Sequence, residues 1–523
     1  MAPRVAKNVE ILFILLVIGI FFVVCGKYFG SEIQAGLSQV TDRARVYLLY
    51  RHYEKMAEDI EVPERGNESE NLVPVLVYHG IVPGKPKNEE EVSLADFTDQ
   101  MFTLKKEGYQ TVSMDQFYRF VTQGESLPDK SFVLTFDDGR KDSYYPVDPI
   151  LKALGYTATM FVITNTLNHP TLSPYYLSTE ELRTMAHSGR WELQSHGRDD
   201  HVLIPVNATG GKGRFMSNKK WLASENRLET DVEYKDRLVA DLQVAKQDLQ
   251  EIFGVASIAY ALPFGDYGHN TTNASDAEKV IQEVLQETYP VSFFQANREV
   301  RTGYFRANYY DPHDVQYFFR RIKVLDFYDA SQLLDVIRAS HEKTLPHKND
   351  FSNVSDWILA WGKFDILEDQ AILQNSNGNN SGAIFLDGSE LWQDYRFDVT
   401  AQLTEGNNYN LFARVKNGKS YVGCGFEQDE IKAFVVEDES YRMLSRLSVN
   451  AIGIEKQQTG SIEVRGNQVR CLFNGKIKVQ STIPKGHEMG GAGIGVFSIV
   501  KDTPAVMRIA KQVVVTLAEA TKK

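Results

Sequence analysis

Cysteine is scarce. Cys25, Cys424 and Cys471 are the only three in 523 residues, too few for a disulfide framework or a cysteine-bound metal. Cys424 and Cys471 either bridge, which needs an oxidising compartment, or remain two buried thiols in sheets. Positive charge is also in deficit: 57 Lys and Arg face 69 Asp and Glu, a formal net charge of -12. That balance argues against a nucleic-acid partner and otherwise serves solubility. A long uncharged apolar run occurs at one place, Ile11 to Gly26, ILFILLVIGIFFVVCG, flanked by Arg4, Lys7 and Lys27. It is slightly short for a span of roughly 17 to 25 residues, but Tyr28, Phe29 and Gly30 extend it through the interface. No small-x-small cleavage site follows, and Val24 before Cys25 spoils a lipoprotein signal. The expectation is an uncleaved anchor over residues 1–30, basic end in the cytoplasm and the remainder outside, in preference to a cleaved signal peptide.

Hydrophobic content of 43% is ordinary for globular protein, and 523 residues leave room for two or three domains. Residues 31–71 read as a charged, helix-compatible stalk ending in the linker EVPERGNESEN. From Val73 to about Ser340 short β-rich runs alternate with amphipathic helical runs. The strands are VPVLVY, QTVS, SFVLTF, TATMFVI, WELQS, ASIAYAL, VSFFQA and RIKV. Phe97, Met101 and Leu104 mark one helical face, and Leu238, Leu242, Ala245, Leu249 and Ile252 another, closed by Gly254. Ser178 with Glu181 and Ser275 with Glu278 have capping-box spacing. Seven or eight βα units predict an α/β fold, a distorted (β/α) barrel. The long polar stretch from Val206 to Glu229 reads as a rim or lid loop. After LPHKND at Leu345, alternating strands with Gly and Asn turns predict an all-β sandwich of two antiparallel sheets.

The chemistry gathers at strand ends. SFVLTF runs into Asp137, Asp138 and Gly139, two adjacent carboxylates that repel unless a cation or proton is shared. A glycine at the junction lets the backbone turn both toward one cleft. VPVLVY is followed by His79 and Gly80. WELQ is followed by Ser195-His196-Gly197-Arg198-Asp199-Asp200-His201, and ASIAYAL by Pro263-Phe264-Gly265-Asp266-Tyr267. His196 and His201 with Asp138 supply two imidazoles and one carboxylate, a donor set typical of catalytic zinc. Asp199 and Asp200 either face solvent or orient the histidine loop. Arg301, Arg306, Arg320 and Arg321 form a late basic cluster, for ion pairing or sugar contact.

Together these motifs resemble the polysaccharide deacetylases of carbohydrate esterase family four, over about Val73 to Ser340. The resemblance implies that Asp137 in TFDDG is the general base and Asp138 a metal ligand with His196 and His201. It implies Zn2+, or another divalent transition metal, as cofactor. Leu262-Pro263-Phe264-Gly265 is similar to the motif whose backbone N–H, here of Phe264, helps hold the oxyanion. Ala261 stands where the family's motif carries an arginine, which leaves the orientation of the base without an assigned partner. His79 in LVYHG resembles the catalytic acid, placed before TFDDG as in the circularly permuted poly-N-acetylglucosamine branch. Asp266, Tyr267 and Arg306 are the expected substrate contacts. The deacetylase domain is expected over residues 72–345; separately, through CLFNGKIKV and GAGIGVFS, the sandwich over 346–523 resembles concanavalin-like jelly rolls, which implies glycan binding or a structural or assembly role. The expected partners are an acetylated polysaccharide, a membrane through the N-terminal helix and exopolysaccharide synthesis or export machinery, with no nucleic acid. The alternatives are deacetylation of peptidoglycan or chitin oligomers, cleavage of O-acetyl esters, and a catalytically silent glycan-binding or assembly protein.

Overall fold

The computed structural model describes residues 48–63, 69–168, 175–269, 272–296, 305–313, 316–326, 328–367, 370–376, 379–416, 418–450, 453–500 and 502–517. The anchor expected over 1–30, most of the stalk and Arg301 lie outside the described residues. Among those described, no helix is long and apolar enough to cross a membrane. Residues 48–58 are helical and dock on the barrel: Tyr53 is buried against Phe102, and the Tyr50 hydroxyl donates to Asp148.

Seven parallel strands close a barrel: β1 (Val73–Tyr78), β2 (Ser131–Phe136), β3 (Ala158–Val162), β4 (Trp191–Ser195), β5 (Ala259–Ala261), β6 (Val291–Ala296) and β7 (Phe318–Lys323). Each pairs with the next in sequence, and β7 returns to β1 through Ile322 with Leu76 and Lys323 with Val77. Strands β1, β2 and β3 are buried on both faces, as parallel strands wrapped by helices must be. Val75, Val133, Phe161, Ala261, Phe293 and Phe319 form one packed group, and Leu76, Leu134 and Met160 belong to another with helical side chains such as Phe97 and Met101. This alternation places residues 75, 77 and 79, 133, 135 and 137, and 319, 321 and 323 on inward rows.

Sequence and structure differ at particular ends. QTVS contributes only Gln110–Thr111, beside β2. ASIAYAL contributes only Ala259–Ala261, because the Gln194 side chain accepts from Ile258 N–H, Ala259 N–H and the Ser257 hydroxyl in place of a backbone ladder. The Ser178–Glu181 capping box forms, but Ser275–Glu278 does not: that helix starts at Ala277, with Asp276 at its N-cap and no side-chain cap bond. The polar stretch after Val206 is folded down, with Arg237 donating to the carbonyls of Phe215 and Asn218 and pairing with Glu229.

The last helix of the barrel region, Ala330–Ala339, is followed by the sandwich, whose first strand is His347–Asn349. Among the described residues the sandwich has antiparallel sheets of eight and seven strands around one core. Cys424 on the seven-stranded sheet and Cys471 on the eight-stranded one are joined in a buried disulfide with Cα atoms 5.6 Å apart. The bridge closes a separation of 47 residues, so C424A/C471A is predicted to cost about 4 kcal/mol in denaturant unfolding by loop-closure entropy. Equal unfolding midpoints with and without reductant would contradict that prediction. The sandwich sits against the barrel through Lys416–Asp311 (2.8 Å), Arg306–Asp387 (2.9 Å) and the Phe305 ring beside Phe385.

Candidate active site

Asp137 ends the inward row of β2 and needs no unusual backbone to enter the barrel mouth. Asp138 by simple alternation points the other way, yet its φ of 71° and that of Gly139 at 72° place both in the left-handed region. A non-glycine residue there is strained, and here the turn brings the second carboxylate to the same mouth. Asp138 Oδ1 then lies 3.6 Å from His196 Nε2 and 3.9 Å from His201 Nε2, with the three donor atoms mutually within 4.8 Å.

Both imidazoles are held from behind. His196 Nδ1 donates to the Ala261 carbonyl at 2.7 Å, and His201 Nδ1 meets Asp200 Oδ1 at 2.9 Å. Asp200 is buried and also accepts from the Tyr260 hydroxyl. Gly197 is required beside it, because at φ 75° an added Cβ would lie 1.8 Å from Asp200 Oδ2. Engaging each Nδ1 leaves each Nε2 to carry the lone pair a metal needs, and the spacing suits donors about 2 Å from a common centre. The residues therefore fit a divalent ion. Burial pushes His196 down to about 3, against the opposing pull of Asp137. His201 moves the other way: burial lowers it, but Asp200, Asp138 and Asp137 together raise it. His196 thus holds a proton against the metal least readily, while His201 and Asp138, both raised, hold protons more readily. Metal affinity should therefore fall as pH is lowered and protons compete for the ligands, measured by competition with a chromophoric chelator; an affinity that does not change with pH would contradict this ligand set.

Asp137 has the partner left unassigned by the sequence. Arg321, fully buried on the inward row of β7, donates through both terminal nitrogens to Asp137 at 2.6 and 2.8 Å, while its guanidinium lies 5.2 Å from the Phe161 ring. Burial alone would raise this carboxyl; Arg321, His196 and His79 outweigh it and hold Asp137 well below the usual carboxylate range. His79, at the end of β1, has Nε2 at 3.8 Å from Asp137 Oδ2, and its carbonyl accepts from the Ser143 hydroxyl. The signal for Arg321 lay in its odd position along RIKV, but pairing it with Asp137 needed the barrel closed.

Phe264 has φ 58° in a single 3-10 turn over Pro263–Gly265, and its ring lies 5.7 Å from that of His201 with the Arg214 guanidinium 5.1 Å away. Gly265 is needed there, since at φ 64° a Cβ would meet the Gln295 carbonyl at 2.6 Å. The expected substrate contacts fare differently. Asp266 is 1% exposed and is spent on the Ser217 hydroxyl, Gly268 N–H and Arg214. Its acceptor atoms organise the loop instead of facing a ligand. Arg306 grips Asp387 and the Ser355 carbonyl, far along the domain boundary. Tyr267 packs on His269 and Phe294 and lines a cleft beside the sandwich. Trp191 and Tyr260 are buried and bonded to Asp148 and Asp200.

A seven-stranded parallel barrel thus carries at its carboxyl end a two-histidine, one-aspartate cluster able to hold a divalent ion beside an arginine-clamped aspartate, the kinds of group that metal-assisted hydrolysis uses. Residues 124–280 match the polysaccharide deacetylase family model, and the chain carries a polysaccharide deacetylase domain. The match contains Asp137, Asp138, His196, His201 and Phe264, and stops short of His79 and Arg321. The chain is similar to the poly-beta-1,6-N-acetyl-D-glucosamine N-deacetylase of Escherichia coli K12, 30% identical over 179 residues, 32% of this chain and 27% of the relative. It is 27% identical over 170 residues to the enzyme of the same name from Staphylococcus epidermidis, 30% of this chain and 57% of that one. These matches thus span from about a quarter to just over half of the relatives' lengths. Among solved structures, a de-N-acetylase from Aggregatibacter actinomycetemcomitans aligns over 51% of this chain and 99% of its own at 23% identity, with a TM-score of 0.42.

Proposed function

We propose that this chain hydrolyses the acetamide groups of an N-acetylated hexosamine polymer of the poly-β-1,6-N-acetylglucosamine kind, releasing acetate. We place the barrel outside a membrane, held by the N-terminal apolar segment. The observation that carries the reading is the joint presence at one barrel mouth of the Asp138, His196 and His201 cluster and the Arg321-held Asp137. A divalent ion such as Zn2+ bound by that trio supplies Lewis acidity and makes water a nucleophile near neutral pH. Asp137 takes the proton of the attacking water; Arg321 keeps it ionised and fixes the direction of Oδ2, 3.6 Å from His196 Nε2. The Phe264 N–H meets the oxygen that gains charge as the carbonyl carbon is attacked, a contribution of about 3 kcal/mol for a well-aimed donor. His79 gives a proton to the departing nitrogen, because an unprotonated amine leaves poorly. Hydroxyl ends on the acetyl carbon and hydrogen on the nitrogen, so the products are acetate and an amino sugar.

The test is acetate release from β-1,6-linked N-acetylglucosamine oligomers, with chelator and with zinc restored. Release that stops with chelator and returns with metal supports the reading. Release only from chitin oligomers, peptidoglycan or an acetyl ester moves the substrate to that polymer or bond. No release from any of them by the metal-loaded chain overturns the enzyme reading in favour of a silent glycan-binding protein.

A further inference from the structure

The long helix Asp231–Phe253 turns a buried face of Leu238, Leu242, Ala245 and Leu249 to the barrel, and an aspartate, Asp241, stands on that same face. Asp241 is 7% exposed, and both its oxygens go to backbone donors. Oδ2 accepts from the Arg198 N–H at 3.1 Å and Oδ1 from the Asp199 N–H at 2.7 Å. These are consecutive amides in the loop that separates His196 from His201. Burying a carboxylate is costly when amides and not a cation receive it. Burial, and then the neighbouring buried Asp200, push Asp241 up to about 7 against the pull of the two amides. The hydrolytic steps give this carboxylate no proton to move.

The two histidines beside it are not held alike. His196 is fixed by the sheet: its N–H donates to the Val162 carbonyl at 2.9 Å and its ring to the Ala261 carbonyl, while the Gly197 carbonyl accepts from the Thr164 N–H at 2.9 Å. His201 stands five residues on, with its ring against the Asp200 side chain. Asp200 directly follows the two amides that Asp241 holds. A shift of the backbone at Arg198 and Asp199 therefore carries Asp200, and with it the His201 ring, while His196 stays in place. The Arg198 guanidinium reaches the same helix at Asp248, but that pair is partly exposed and holds only the side chain.

We propose that Asp241 is a positioning residue for the metal centre: by gripping the Arg198 and Asp199 amides it sets where His201 stands relative to His196 and Asp138, and so sets metal affinity. The proposal rests on the metal site of the deacetylase reading and not on the identity of the polymer.

The test measures zinc affinity of the full-length chain in non-ionic detergent at pH 8, by competition with a chromophoric chelator, in wild type, D241N, D241A and D248N. D241A leaves both amides without an acceptor and is expected to bind zinc about ten-fold less tightly, the lower end of what outer partners of metal ligands contribute. D241N keeps one acceptor oxygen and should fall between D241A and wild type. D248N cuts only the side-chain pair and should stay within about two-fold of wild type. With cobalt in place of zinc, the visible absorption of D241A should shift as the geometry at His201 changes. Without metal, D241N should melt no lower than wild type at pH 8, because the folded carboxyl is raised above its unfolded value of about 4 and its charge opposes folding in full above about 7.

A merely structural Asp241 gives the reverse, a lower metal-free melting temperature in D241N with unchanged zinc affinity, and that result overturns the proposal. An equal loss of affinity in D248N and D241A overturns it as well. Should D241A not fold, D241N decides alone, and zinc affinity equal to wild type defeats the role. Either failure with normal acetate release by wild type leaves the deacetylase reading standing. The expected affinity series, in a wild type that binds zinc but releases no acetate, upholds Asp241 and defeats the deacetylase reading.

Discussion

Asp138→Ala is expected to lose metal and activity together. The two imidazoles remain held by the Ala261 carbonyl and Asp200, but the anionic donor is gone and two neutral nitrogens hold a divalent ion poorly. Acetate release should fall by about 1,000-fold or more, and metal analysis after gel filtration should show far less than one ion per chain. Stoichiometric zinc in the variant would remove Asp138 from the ligand set. Since burial and Asp137 raise the Asp138 carboxyl while His79, His201 and Arg140 oppose them, the variant also relieves an unfavourable charge in the metal-free protein. It should be at least as stable as wild type without metal, which separates loss of ligand from loss of fold.

The second large effect is expected at Arg321. Arg321→Met leaves the fully buried Asp137 without its counter-ion, and breaking a buried pair on one side costs about 3 to 5 kcal/mol. Folded Asp137 is depressed, so its pairing adds stability above the ordinary carboxylate pKa of about 4, and that stability is lost as pH falls through the lower folded value. In R321M the dominant remaining influence is burial, which raises the carboxyl. The acid limb of the kcat/KM profile should move to higher pH, and activity should fall by about 100-fold or more as the base loses both charge and aim. R321M/D137N, with no charge left unpaired, should regain most of the stability and none of the activity. An R321M protein as stable as wild type, or with an unmoved acid limb, would show that Arg321 does not position the base.

The strands of the barrel were legible because β1, β2 and β3 are apolar on both faces and end in chemistry-bearing residues, a pattern that depends only on neighbours in sequence. Asp137, Asp138, His196, His201 and His79 announced themselves in the same local way. Arg321 did not, because the reason for burying it lies 184 residues away. Asp266 misled for the complementary reason: it follows the Pro-Phe-Gly turn, and only the folded path of residues 214–217 shows that its oxygens are taken by Arg214 and Ser217. Arg306 looked like part of a sugar-binding cluster, but its partner Asp387 belongs to the other domain. Cys424 and Cys471 were undecided in sequence, since whether two thiols meet depends on how two sheets stack. The β5 boundary failed because a glutamine side chain replaced backbone pairing.

The order of assembly follows from the seam between β1 and β7. His79 follows the first strand, Asp137 the second, and Arg321 stands on the last, which pairs back onto the first. During synthesis the segment through β2 emerges with an aspartate whose burial is unfavourable until the cation 184 residues downstream is made. The barrel mouth can therefore neither dry out nor hold its base in place until the final strand is delivered. A chain that ends before residue 321 lacks both the closing strand and the counter-ion of Asp137, and in a denaturant series the proposed catalysis should disappear at the same midpoint as the barrel itself.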